Sequence, residues 1–116
     1  MAVVKVRKAI TKIKRFEVYL VNLDPTVGHE IKKSRPCIII SPNDMNVLKT
    51  VIVGPMTTVI RNFPFRVNID FEKKKAQVAL DQLRSVDKIR LIKKLGVIEN
   101  PTASEISKTL VQIFSY

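Results

Sequence analysis

NLDPTVGHEIKKSRPCIIIS, residues 22–41, sets a charged loop between two apolar segments, and that arrangement decides the fold. Downstream, Cys37, Ile38, Ile39 and Ile40 form an unbroken apolar run, the pattern of a strand covered on both faces; the predicted strand is Pro36 to Ser41. Upstream, Phe16 to Leu23 is rich in aromatic and β-branched residues and reads as a first strand. Asp24-Pro25 ends it, because proline restricts its predecessor and donates no ladder hydrogen bond. Between the strands lie Gly28, His29, Glu30, Lys32, Lys33, Ser34 and Arg35. Loops held by a rigid scaffold are where binding and catalytic groups tend to be carried.

Outward from this stretch the chain reads as short strands. Ser41-Pro42-Asn43-Asp44 has turn chemistry, followed by a short helix or irregular link through Val47. Thr50 to Pro55 is a third strand, and Thr57, Thr58 and the polar stretch to Pro64 form a loop. Phe65, Val67, Ile69 and Phe71 share one face of a half-exposed strand. Glu72 to Lys75 is a charged hairpin connection, Ala76 to Leu80 the returning strand, and Gln82 to Val86 a further short one. Ile89, Ile92 and Leu95 recur at helical spacing before Gly96, which predicts a helix over Lys88 to Leu95. Thr102-x-x-Glu105 reads as a capping box opening a last helix whose apolar stripe is Ile106, Leu110, Ile113 and Phe114. The fold class is α+β, mainly β: a small barrel-like sheet packed against a C-terminal helix.

A chain of 116 residues is one domain with a working core. Residues 1–15 stand apart as a basic arm, with six cations, no acid, and Val3, Val6, Ile10 and Ile13 at helical spacing. A frayed terminus is the plain reading of that arm; extra phosphate contacts are the functional one. No stretch is apolar enough for a membrane span or a secretory signal. One cysteine, Cys37, and one histidine, His29, exclude an intrachain disulfide and argue against a metal site. The net charge of +11 points to a polyanion: nucleic acid, an acidic membrane surface or an acidic protein segment. Charge kept for solubility is the competing explanation.

Four blocks in register, VYLVNLDPTVGHEIKKSRPCIIISPNDMN, VIVGPMTT, FPFRV and VALDQLRSVDK, resemble the MazF/PemK family of toxin endoribonucleases of type II toxin–antitoxin systems. The likeness spans about residues 16–114 of the 16–116 domain. It implies an SH3-like barrel of the MazF/CcdB/Kid type and a cytoplasmic homodimer. It also implies metal-independent cleavage of single-stranded RNA without a cofactor, and a cognate antitoxin whose acidic tail occupies the RNA groove. By the same resemblance Arg35 and Thr57 match the catalytic arginine and threonine, and Glu30 the glutamate of the G-x-E block. Lys32, Lys33, His29, Ser34, Thr58, Gln82 and Arg84 are then expected to contact RNA. Lys32, Lys33 and His29 occupy places where relatives carry small residues, so RNA preference is where this chain departs from them.

The residue types suit that chemistry. Cleavage by the 2′-hydroxyl needs a proton acceptor, a donor to the leaving 5′-oxygen, and charge facing the crowded phosphorus. Arg35 offers a planar fork for phosphate oxygens, and Thr57 a hydroxyl donor. The proton acceptor is open at this stage: Glu30 is a candidate, arginine is a poor base, and His29 titrates in a useful range but is read as structural or substrate-contacting. Each residue also has a structural explanation. Arg35 with Glu30 would make an ion pair across the loop, and Thr57 a turn. A non-catalytic basic barrel gripping nucleic acid, or a protein target such as a topoisomerase, is the alternative function. An interfacial helix at residues 1–15 binding acidic membranes is a third.

Overall fold

The computed structural model describes residues 12–31 and 33–116. The helix expected within 1–15 falls mostly outside them, as does Lys32. Seven strands follow in order: β1 (Glu17–Asn22), β2 (Ser34–Ile39), β3 (Thr50–Thr57), β4 (Arg66–Phe71), β5 (Lys74–Ala79), β6 (Arg84–Asp87) and β7 (Leu91–Val97). A single α-helix, α1 (Thr102–Phe114), ends the chain. The strands form a curled sheet in the order β4-β5-β3-β2-β1-β7, with β6 added to the lower half of β3, and every pairing is antiparallel. The expected mainly-β barrel with a C-terminal helix is therefore the fold observed.

The apolar run of β2 is unbroken because both its faces are covered. Ile38 and Ile40 enter one core with Val18, Met56, Val67, Ile69, Val78 and Ile106. Cys37 and Ile39 enter the other with Ile13, Tyr19, Val21, Leu23, Val51, Val53 and Leu91. On β4, Val67 and Ile69 are buried while Asn68 and Asp70 face out, the half-exposed alternation that was read from the sequence. The two ends of the curl meet at Gly96 of β7: a Cβ there would lie 3.0 Å from the Phe71 ring of β4.

Two helical expectations are corrected. Residues 88–95 are not a helix. Lys88–Arg90 is one 3-10 turn, held by Asp87 accepting a hydrogen bond from the Ile89 amide at 2.9 Å, and Leu91–Val97 is a strand on the outer edge of β1. The misleading period has a physical source. The register with β1 skips a residue twice, passing over Leu95 and Ile92, so two irregularities break the alternation of an ordinary strand. An unfilled edge of β1 decides the conformation over local propensity. Gly96 is accordingly a close-packed strand residue, not a helix terminator.

The capping box is not formed either. Backbone bonds from Ala103 to the Glu99 carbonyl and from Glu105 to the Pro101 carbonyl begin the helix earlier, so Thr102 lies inside its first turn. Asn100 takes the capping role, accepting from the Ser104 amide at 3.2 Å and its hydroxyl at 2.8 Å. Ile106 is fully buried, whereas Ile113 and Phe114 at the far end of the stripe are exposed.

Candidate functional site

Arg35 and Thr57, expected in loops, stand on strand ends. β2 begins at Ser34 and β3 runs to Thr57. The β2–β3 ladder ends at Cys37 paired with Pro55, two residues short of Arg35 on β2 and of Thr57 on β3. Both line one groove of about 190 Å³ with Thr58, Glu72, Lys74, Pro36, Met56, Phe71 and Ala76. The Thr57 oxygen accepts from the Val59 amide at 3.1 Å, which fixes the hydroxyl at the strand end. Behind it, buried Gln77 on β5 pairs with Thr57 and anchors the departing loop. Its oxygen accepts from the Arg61 amide at 3.0 Å, and its nitrogen donates to the Arg61 carbonyl at 2.9 Å and to Asn68 at 2.8 Å. Rigid strands therefore carry both side chains, which holds their spacing better than loops would.

Glu72 and Lys74 reach this groove from the β4–β5 hairpin, and neither was singled out in the sequence. Phe71 pairs with Lys74, so the turn has only two central residues, Glu72 and Lys73, both left-handed at φ 50° and 63°. The connection is shorter than the Glu72 to Lys75 expected, because strand pairing extends over Lys74 and Lys75. A two-residue hairpin normally signals itself through Asn-Gly or Asp-Gly. Glu-Lys carries no such signal.

Glu30 and His29 line a second, larger concavity of about 430 Å³ with Gln82, Arg84, Asp81, Leu23, Val27, Ile31, Leu83 and Pro55. It shares no described lining residue with the first groove. Its wall is the β1–β2 loop, whose shape is set by specific bonds. Glu30 closes a local turn by accepting from the Val27 amide at 3.0 Å, with Gly28 left-handed at its tip. Lys33, also left-handed at φ 68°, returns the chain to β2, its amide donating to Asp24 at 2.9 Å. Three side chains from residues 82–90 hold the loop. Gln82 accepts from the Ile31 amide at 2.8 Å, Arg84 donates to the Leu23 carbonyl at 2.9 Å, and Arg90 donates to the Asn22 and Asp24 carbonyls. Gln82 and Arg84 thus have structural partners in the free protein. Arg90 is a member of this set that the sequence did not reveal, since its partners are backbone atoms some 66 positions away. Ser34 and Thr58 are exposed at the rims.

Burial alone would raise the Glu17 carboxyl, but Lys94 at 2.5 Å, the Lys14 amide at 2.6 Å and the Tyr19 hydroxyl hold it below its usual range. Burial, reinforced by Glu17, pushes Tyr19 up to about 12. Burial also pushes the Cys37 thiol up to about 12, although Arg84 acts in the opposite direction. Cys37 is thus a core residue, not a nucleophile. Among the described residues no three His, Cys, Asp or Glu side chains converge, and no helix is long and apolar enough to cross a membrane.

The chain matches the family described as PemK-like, MazF-like toxin of type II toxin–antitoxin system over residues 14–114. It is 33% identical over 105 residues to Endoribonuclease MazF of Staphylococcus epidermidis, covering 84% of this chain and 88% of that protein. The crystal structure of MazF from Deinococcus radiodurans superposes with a TM-score of 0.78 at 23% identity, over 90% of this chain and 97% of that one. A mycobacterial endoribonuclease in complex with its cognate antitoxin superposes with a TM-score of 0.74 at 23% identity, over 87% and 93%.

Proposed function

Because this chain belongs to the PemK-like, MazF-like family of toxins of type II toxin–antitoxin systems and is an endoribonuclease toxin of that kind, we propose that it cuts single-stranded RNA sequence-selectively and without metal, by attack of a 2′-hydroxyl on the adjacent phosphorus. The products would be a 2′,3′-cyclic phosphate and a 5′-hydroxyl. The observation that carries this reading is the meeting of Arg35 and Thr57 in one small groove. At about 190 Å³ it is below the roughly 300–1,000 Å³ of a small-molecule site, and so suits one backbone phosphate better than a nucleotide. Arg35 supplies a bidentate fork to the non-bridging oxygens, and Thr57 a hydroxyl bond. Together they stabilise charge that grows in the transition state, commonly the largest single contribution to such catalysis.

The second concavity, about 430 Å³, is of a size to take a neighbouring base. His29 and Glu30 are its polar groups on the loop. Lys33 and Ser34 at the loop's return, Thr58, Gln82 and Arg84 at its foot, and Lys32 by its place in the sequence complete the RNA-contacting set. Residues 1–15 add phosphate contacts as a basic arm. An antitoxin with an acidic tail neutralises the toxin by covering the Arg35 groove, as charge complementarity to a +11 chain favours. The toxin acts in the cytoplasm as a homodimer, for which Val111, Ile113 and Phe114 offer an exposed apolar face.

The test is incubation with a long mixed-sequence RNA in excess chelator, followed by primer extension and end analysis. Discrete cuts with cyclic phosphate ends are expected. Loss of one charge-stabilising donor typically costs about 10²–10³-fold, so Arg35→Ala and Thr57→Ala should each lose at least that much while melting like the parent. A requirement for magnesium, or full cutting by Arg35→Ala, would remove the mechanism. RNA binding without cutting would favour the basic-barrel alternative.

A further inference from the structure

We infer that Glu72 is the proton acceptor for the attacking 2′-hydroxyl, an inference that rests on the endoribonuclease reading of the Arg35 groove. Glu72 is the one carboxylate among the described residues that line this groove, whereas Glu30 lines the other concavity. The charged groups that line the groove with it are Arg35 from β2 and Lys74 from β5, alongside Thr57 and Thr58 at the end of β3. A general base must come within hydrogen-bond reach of the proton it takes, and a carboxylate in the same groove as the phosphate-binding arginine is placed to do so.

The backbone supplies a second, independent observation. Glu72 and Lys73 both hold φ values, 50° and 63°, that suit glycine or asparagine. Asn-Gly would make the same two-residue turn without that strain. Residues kept in sparsely populated conformations gather at functional sites, where the surrounding structure holds them in place. Here pairing of Asp70 with Lys75 and Phe71 with Lys74 holds the turn, and the Phe71 ring is seated on Gly96. The hairpin therefore presents a glutamate to the groove from a firm base.

The step balances without another reactant. The 2′-hydroxyl proton passes to the Glu72 carboxylate as the 2′-oxygen bonds to phosphorus, and the bond from phosphorus to the 5′-oxygen breaks. The departing oxygen takes a proton from solvent, and Glu72 returns its own to solvent. Arg35 stays protonated throughout, which removes the need for a guanidinium to act as a base.

Three proteins decide the matter: the parent, Glu72→Gln, and a double variant Glu72→Asn with Lys73→Gly, which makes the turn easier while removing the carboxylate. Each is compared in single-turnover cleavage of one mixed-sequence RNA in chelator from acid to mildly alkaline pH, alongside RNA affinity and thermal melting. The parent rate should fall on acidification. Both variants should cut at least about 10²-fold more slowly, with a flattened acid limb and RNA affinity within about twofold of the parent. The double variant should melt at or above the parent temperature, so a folding failure is not the cause of its loss. If the parent cuts and Glu72→Gln cuts equally well with the same pH profile, Glu72 is not the acceptor and the endoribonuclease reading stands. A loss of rate matched by an equal loss of affinity assigns Glu72 to binding and overturns the proton role. If the parent itself leaves RNA intact, both readings fail together.

Discussion

Replacing Gln77 by leucine should loosen the end of the β3 strand without emptying the core. Gln77 is 3% exposed and makes three hydrogen bonds, two to the backbone of Arg61 and one to Asn68. Leucine conserves its volume, so no cavity term enters. Each bond contributes roughly 0.5–1.5 kcal/mol net, and three together give about 1.5–4.5 kcal/mol. Arg61 and Asn68 are exposed, so water can replace part of the lost bonds and the lower half of that range, about 1.5–3 kcal/mol, applies. A leucine buried in place of the amide returns part of that, on the order of 1 kcal/mol. A net loss of about 0.5–2 kcal/mol is therefore expected, which lowers the urea midpoint by about 0.25–1 M for a slope near 2 kcal/mol per molar. Because Gln77 pairs with Thr57 and holds the loop that leaves it, RNA cleavage should fall by more than stability at working temperature explains. Equilibrium unfolding and single-turnover cleavage, measured on the same preparation, read the two effects. A midpoint within about 0.2 M of the parent together with an unchanged rate would refute the anchoring role.

Other perturbations follow from the same geometry. Glu17 has a depressed carboxyl pKa, so its contribution is present above the unfolded carboxylate range and lost as pH falls through the folded value. Glu17→Gln should flatten the acid limb of stability against pH, read by urea melts at stepped pH. Tyr19 has the opposite sign: its phenol is held neutral, so stability should fall as pH rises from the ordinary value of 10.0 towards about 12, and Tyr19→Phe should blunt that fall. The Cys37 thiol, buried and pushed up to about 12, should stay unreactive to a disulfide reagent at neutral pH until denaturant is added. Ile106→Ala empties a fully buried position between α1 and the sheet and should cost about 2–5 kcal/mol in urea unfolding.

Much of the fold was legible because the signals were local. The run Cys37 to Ile40 has no polar position to turn outward, so it specified a strand buried on both sides, and alternation over Phe65 to Phe71 specified one buried on a single side. Residues 88–95 were misread because a strand with two register irregularities has no period of two. The helix cap was misassigned for a related reason: Thr102 and Glu105 have capping spacing, but Asn100 accepts from the Ser104 amide in the first turn. The site was partly legible. Arg35, Thr57 and Glu30 were all named from a family pattern; the first two line one groove and Glu30 lines a different concavity.

The opening stretch, residues 22–41, shows where the division falls. Its sequence alone determined two apolar segments, a turn at Asp24-Pro25 and a cluster of charge between them, because hydrophobic pattern and proline chemistry act over a few residues. Only the tertiary structure decided which groups stand together. The ends of β2 and β3 bring Arg35 and Thr57 to one groove that Glu72 of the two-residue hairpin also lines, while Glu30, in a loop held by Gln82, Arg84 and Arg90, lines the other concavity. Register and loop anchoring depend on partners dozens of positions away, and no local pattern encodes that distance.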